Sequence, residues 1–483
     1  MELSRDQPIP LYYQLKTALI EDILSGAYGT DGRLPTEHEL CERFAMSRTP
    51  VTRALSELAT EGVVLRRRRH GTFVNPLWLA RGTSSTEVRV LVPAWAGQVG
   101  WADWAEHLRW VAPPGMRLSI AEAELNDLHA IFLHSVAEGH AADLAVLDSV
   151  WMAEFAASGF LWPLDDLDAA WVEGDYLDDF LQPFVDAHRF GGSTLAVQAE
   201  MDVGGMWYNR ADLASVGADC PRTWAELHET GLRLAAADTG RYPLVVPAGP
   251  AADEFTTYCL VTLLASNGAR VLSPNAVTLN SPASVEAMRL LRSLADDKIV
   301  SPAAVGYERD QPIQLLARGE AAMGFGGSYE AAVLAHGAGI AVERLTETFG
   351  FAPMPAGPQG DHGVLTGGFV YCVPRQARRP GPAMQLLEAA VTHQAMARFF
   401  ARTGQIPPRR SAVAELVSRS SFHAFTAGLL NRAVTRPVTP TYSLVSAQLR
   451  AMVETVITGR LSPEAAVGRA AELIGAVTGL PLA

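Results

Sequence analysis

Residues 66 to 74 read RRRRHGTFV, four arginines in a row inside a chain whose net charge is -13 and whose isoelectric point is near 5.4. Arg66, Arg67, Arg68 and Arg69, with His70 and Gly71 after them, make a local positive surface of the kind that releases counterions from a phosphate backbone. A charge run is often only a solvated face, so its neighbours decide its meaning. Upstream, SRTPVTRAL sets Arg48, Thr49, Thr52 and Arg53 within two turns of Ser47. An arginine so placed grips guanine through two hydrogen bonds, and hydroxyls beside it reach phosphates. The chemistry on offer is nucleic-acid recognition.

Catalytic patterns are not found. The chain has two lysines, Lys16 and Lys298, and neither follows a glycine as a phosphate-binding loop requires. No G-x-S-x-G occurs; FGGSYE misses it by one residue. His134 and His140 form neither H-x-H nor H-E-x-x-H, and Cys41, Cys220, Cys259 and Cys372 stand far apart without a C-x-x-C pair. No catalytic residue, metal site or cofactor is therefore expected. Widely spaced cysteines suit reduced thiols. No run of about 18 uncharged apolar residues predicts a membrane span. MELSRDQPIPLYYQL lacks the basic-then-apolar start of a secretory signal, so the expected location is the cytoplasm.

The elements that must position the arginines are legible. Leu11, Leu15, Leu19 and Ile23 recur every four residues and predict a first helix over 8–25, stopped by Gly26. Thr36 and Glu39 form a capping box that opens a second helix. Ala45 and Met46 make a turn, and a third helix begins at Ser47 or Thr49 as cap, with Pro50 in its first turn and Gly62 at its end. VVLRRRRHGTFV then bends as a hairpin. Two helices, a tight turn and a hairpin make a winged helix-turn-helix, with the third helix entering the major groove and the arginine wing on the backbone or minor groove. Residues 1–75 hold ten basic and ten acidic side chains, so the charge deficit lies wholly in the rest of the chain.

PLYYQL, GRLPTEHELCERFAMSRTPVTRAL, LATEGVV and HGTFV together resemble the DNA-binding domain of the GntR family of bacterial transcription regulators. The resemblance implies a homodimer on pseudo-palindromic operator DNA. It also marks departures: His38 stands where arginine is usual, Thr52 stands where arginine is usual and Arg53 follows it in place of a neutral residue, and Arg69 takes the place of a glycine. A different operator sequence follows from these.

With 483 residues, mean hydropathy +0.10 and 48% apolar residues, the chain is long enough for two to four domains with real cores. After a polar, small-residue linker at 76–87, strand-like runs (VRVLVPAW, DLAVLD, LAVQAE, PLVVPAG, AAMGFGG, GVLTGGFVYCVP) alternate with helical ones, and 101–139 reads as helix throughout. That alternation predicts an α/β body with more than one sheet. DLAVLDSVWMAEFAASGFLWPLDD, LAVQAEMDVGGMWYNRADLASVGADCPRTWAEL, LARGEAAMGFGGSYE, FAPMPAGP and GVLTGGFVYCVP resemble the maltose-binding-like solute-binding proteins of sugar ABC transporters, over roughly 88–410. The resemblance implies a two-lobed periplasmic-binding-protein-like domain (type II) over 88–483, with lobe I at about 88–198 and 354–395 and lobe II at about 199–353 and 396–483. It implies a cleft that binds a small-molecule effector, a carbohydrate, through Trp95, Asp148, Ser149, Trp151, Glu200, Asp202, Ser328, Tyr329, Gly367 and Gly368. Asp202 matches an acidic ligand contact of the family, and Tyr329 takes the place of a stacking tryptophan.

Head and body together predict a ligand-responsive transcription regulator, a repressor, with operator affinity set by the state of the cleft. The alternatives are a GntR head on a pyridoxal-phosphate aminotransferase-like body, for which Lys298 lacks the strand-and-turn setting of a Schiff-base lysine, and a solute-binding module that does not switch.

Overall fold

The computed structural model describes residues 10–29, 31–67, 70–83, 87–95, 102–237 and 240–483; the side chains of 80–83 are outside the described set. In the head, α1 (Leu11–Leu24), α2 (Glu37–Arg43) and α3 (Arg48–Thr60) enclose a core of Leu15, Leu19, Leu40, Val51, Leu55 and Leu58, the apolar stripe the spacing predicts. The Thr36 capping box forms: the Glu39 N–H donates to Thr36 Oγ1 (3.3 Å) and the Thr36 N–H to Glu39 Oε2 (2.7 Å). The turn between α2 and α3 is made by Ala45 in the left-handed region (φ 49°). Ser47 occupies the N-cap of α3, but its hydroxyl makes no capping bond, and Thr49 lies inside the helix rather than capping it. The wing is β1 (Val64–Arg67) paired antiparallel with β2 (Gly71–Val74), Arg67 opposite Gly71, whose φ of 110° only glycine adopts freely.

The expected linker is ordered differently: Pro76–Thr83 forms a helix, α4, which buries Trp78 against the head core. Pro76 at its first position favours this start.

Two larger sheets form the body. The first runs, in spatial order, β4 (Arg117–Glu124), β3 (Glu87–Ala94), β5 (Leu144–Asp148), β11 (Phe369–Cys372) and β6 (Val197–Gln198). The second runs β8 (Tyr242–Val245), β9 (Ala321–Gly327), β7 (Gly204–Asn209) and β10 (Phe349–Ala352). The stretch expected to be helical throughout contains β4, between α5 (Trp104–Val111) and α6 (Leu125–Ala137). RLSIAEAE forms an edge strand whose outer face is solvated, so its alanines and glutamates read as helical.

Each sheet has its own core. One gathers Val90, Val146, Phe155, Tyr371 and Phe400; the other gathers Met206, Trp207, Leu244, Met323, Leu449 and Ile474. The lobe boundaries shift accordingly. Met354, Val364 and Leu365 lie in the second core, so the return crossing falls at 366–368, whereas Phe400, Ala412 and Leu416 lie in the first. The FAPMPAGP stretch is apolar enough for either core; only packing assigns it. The crossings are tied by paired bonds between Met201 and Ile406 (2.8 and 2.7 Å) and by the Ala199 N–H to Phe369 O (2.8 Å). Two C-terminal helices, Tyr442–Ile457 and Pro463–Thr478, close the second lobe. Among the described residues no helix is long and apolar enough to cross a membrane.

The head sits on the first lobe. α1 packs across α6 so closely that a Cβ on Gly139 would come within 2.5 Å of Ile20 Cδ1. Arg378 of the first lobe stacks on Trp78 of α4, 4.3 Å from the ring centroid. Burial pushes the Glu21 carboxyl up to about 7, against the pull of Arg375 across the junction.

Candidate functional site

Two surfaces bring together the residues singled out above. On the head, the exposed start of α3 and strand β1 share one carboxylate, that of Glu37. Its Oε2 accepts from Arg48 Nε (3.1 Å) and Thr52 Oγ1 (3.2 Å), and its Oε1 from an Arg66 guanidinium nitrogen (2.5 Å). Partial burial works against ionisation there, but the hydrogen bonds from Arg48, Arg66 and Thr52 outweigh it and hold Glu37 below the usual range. Recognition helix and wing are thus braced together with Arg48 still 83% exposed. Arg53 is held differently, stacked on Tyr12 (3.7 Å to the centroid) and bonded to Glu57 (3.0 Å). Thr49 and Ser47 are exposed beside Arg48, and Arg67 lies over the Phe73 ring at 5.2 Å. His70 stands exposed at the hairpin turn; His38 is exposed on α2 and faces Glu42 at 3.4 Å. Arg68 and Arg69 lie outside the described residues. Glu37 was missed because a glutamate in a DNA-reading surface looks unfavourable until its three donors are seen around it.

In the body, a narrow cavity of about 50 Å³ lies where the two lobes meet. Trp95, Asp148, Glu200, Asp202, Tyr329 and Gly368 all line it. The other four predicted contacts do not. Trp151 is core, packed on His129 and Phe155. Ser328 ties the crossing strands, its Oγ accepting from the Val203 N–H at 3.1 Å. Ser149 and Gly367 line a neighbouring cavity behind Arg436. Ser149, Ser328 and Gly367 each sit next to a lining residue in sequence, where a single step of the chain sends the side chain away from the cleft; Trp151 lies three positions past Asp148 and turns into the core.

Sequence reasoning missed Asn126, Glu254, Phe255, Tyr258, Arg309 and Arg436, which also line the cavity. Arg436 is buried and spans it, bonded to Asp148 (2.9 Å) and paired with Glu254 (3.4 Å). Arg309 stacks on Trp95 at 4.4 Å, so the flat face expected to hold a sugar carries a guanidinium. The signal for Arg436 is weak: it lies in TRPVTP, beyond the last stretch that carries the family resemblance.

The carboxylates differ in environment. Burial pushes Asp202 up to about 6, although the Tyr258 hydroxyl (2.6 Å) and Arg436 pull the other way. Burial and then the neighbouring Asp202 raise Glu200; its Oε1 accepts from the Phe369 N–H at 3.0 Å. Burial also raises Glu254, opposed by Arg436, Ser446 and Tyr442. Gly368 (φ 121°) is required here, because a Cβ would lie 2.3 Å from the Glu200 carbonyl oxygen.

A raised carboxylate favours the folded chain only while protonated. Stability from Asp202 is therefore present below the unfolded Asp value of about 3.9 and is lost as pH rises through about 6. Thermal unfolding of ligand-free Asp202→Asn beside the natural chain should show the variant gaining relative stability over that interval. A difference that does not change with pH would refute the assignment.

Comparison with known proteins now fits this geometry. The model of the family "bacterial extracellular solute-binding protein" matches residues 123–397. The chain belongs to this family. The model of bacterial regulatory proteins of the gntR family matches residues 11–74, so a gntR-type head is fused to the solute-binding body. A Brucella abortus protein named as a binding protein is 23% identical over 406 residues, 83% of this chain and 95% of its own length. The transcriptional repressor NagR of Bacillus subtilis is 41% identical over 75 residues, 16% of this chain and 31% of its own, a match confined to the head end. Among solved structures, a Thermotoga lettingae ABC-transporter solute-binding protein with bound α-D-tagatose superposes with a TM-score of 0.73 at 21% identity, covering 82% of this chain and 100% of that one. A maltose-bound protein of T. maritima gives 0.71 at 24%, covering 80% and 99%. These structures share the two-lobed fold of this member of the solute-binding family. Of its two lysines, Lys298 stands exposed and Lys16 is buried in the head against Glu61 (2.5 Å), so neither lines the cleft.

Proposed function

We propose that this protein is a cytoplasmic, ligand-responsive transcription regulator, a dimeric repressor that binds pseudo-palindromic operator DNA through α3 and the wing and senses a carbohydrate between the lobes. The observation that carries this reading is the physical junction of the two sites. The head is packed on the first lobe through α1, α6 and the Arg378–Trp78 stack, so it travels with that lobe. The carboxylates and aromatic rings of the cleft come from both lobes, so a ligand between them changes the lobe angle. In a dimer that contacts its partner through the second lobe, such a change alters the spacing of the two heads on DNA. The sugars bound in the two structural relatives, tagatose and maltose, support a sugar as the effector class.

The test has two stages. Thermal unfolding against a panel of mono- and oligosaccharides should single out a sugar that stabilises the chain by about 2.7 kcal/mol at about 100 times its Kd. That sugar should then change operator affinity about 5- to 150-fold. Stabilisation with unchanged operator affinity would mean a binding module that does not switch.

A further inference from the structure

The charge balance of the cleft narrows the ligand. Four carboxylates, Asp148, Glu200, Asp202 and Glu254, line the cavity with two guanidiniums. Arg436 is shared by Asp148 and Glu254, and Arg309 lies on the face of Trp95. Glu200 and Asp202 form no salt bridge among the described residues, and the pull of Arg436 on both is shared with Asp148 and Glu254. Asp202 has the Tyr258 hydroxyl as donor, but Glu200 Oε2 is buried and takes no hydrogen bond among the described residues. Burial and Asp202 raise Glu200, and a cation within hydrogen-bond reach would draw it back to its ionised form. Gly368 keeps side-chain atoms off that carboxylate: a Cβ there would come within 2.7 Å of Glu200 Oε1.

A neutral hydroxyl supplies one donor to Glu200 and leaves the excess charge in place. An ammonium supplies three donors and one positive charge. An anionic ligand would add to the imbalance. Resting on the reading of the cleft as a sugar site, we propose that the ligand is an amino sugar whose protonated amine sits between Glu200 and Asp202.

Calorimetric titration of the full chain with three matched pairs decides it: glucosamine against glucose, galactosamine against galactose, and mannosamine against mannose. N-acetylglucosamine serves as a control that keeps the nitrogen and removes its charge. At least one amine should bind about tenfold or more tightly than its hydroxyl partner. That preference should shrink to within about threefold in Glu200→Gln, which retains an oxygen for the Phe369 N–H, and in Asp202→Asn. Ligand-free melting of both variants reports whether they fold, and either variant suffices. A neutral or N-acetylated sugar that binds as tightly as the amine overturns the proposal and leaves the sugar site standing. Binding of neither class overturns both.

Discussion

Replacing Arg436 by methionine is expected to be the most damaging single change in the body. The guanidinium is buried between Asp148 and Glu254, which come from different lobes. Removing one member of a buried ion cluster leaves its partners desolvated and unpaired, at a cost of about 3–5 kcal/mol. A salt bridge on the surface would lose about a fifth of that or less. Denaturant unfolding at neutral pH should show the loss. The loss should shrink as pH falls, because Glu254, already raised by burial, can then take a proton in place of the missing cation. Arg436→Lys should recover part of it. An Arg436→Met variant as stable as the natural chain at neutral pH would mean that the cluster is no strut. Operator binding should survive in the ligand-free variant, since none of the described head residues touches Arg436.

Arg48→Ala should abolish discrimination between operator and unrelated DNA while sparing the fold. Its side chain is exposed and buries no core surface. A bidentate arginine–guanine contact discriminates by about 1–3 kcal/mol, and a dimer would lose it in both half-sites. Residual binding should persist and weaken with salt, because Arg53, Arg66 and Arg67 still meet phosphates. The measurement is fluorescence anisotropy on a sequence selected by the natural chain from random DNA, beside a scrambled duplex. Undiminished preference for the selected sequence would place the reading residue elsewhere. Glu37 gives the result an added meaning. It holds Arg48 and Arg66 together, so α3 and the hairpin would approach DNA as one braced surface.

The sequence by itself determined the head almost completely. Its contacts are local: a four-residue apolar stripe, a capping box and a tight hairpin each depend on neighbours a few residues apart. It also determined the α/β character of the body and six of the sixteen residues that line the cavity, because Asp148, Glu200, Asp202 and Gly368 sit at strand ends where chains cross between lobes. Ser149, Ser328 and Gly367 differ from lining residues by one step along the chain, and a strand or turn reverses side-chain direction at each step, while Trp151, three positions past Asp148, packs into the core. Arg436, Arg309 and Glu254 lie far apart in sequence and converge only when both cores have formed, so no local pattern announces them. The helix at 76–83 belongs with these, since Trp78 stays helical by packing into the head and stacking under Arg378, 300 residues away. Spacing wrote the elements; the juxtaposition of charges between two independently packed lobes was decided only in three dimensions, where desolvation makes each unpaired carboxylate matter.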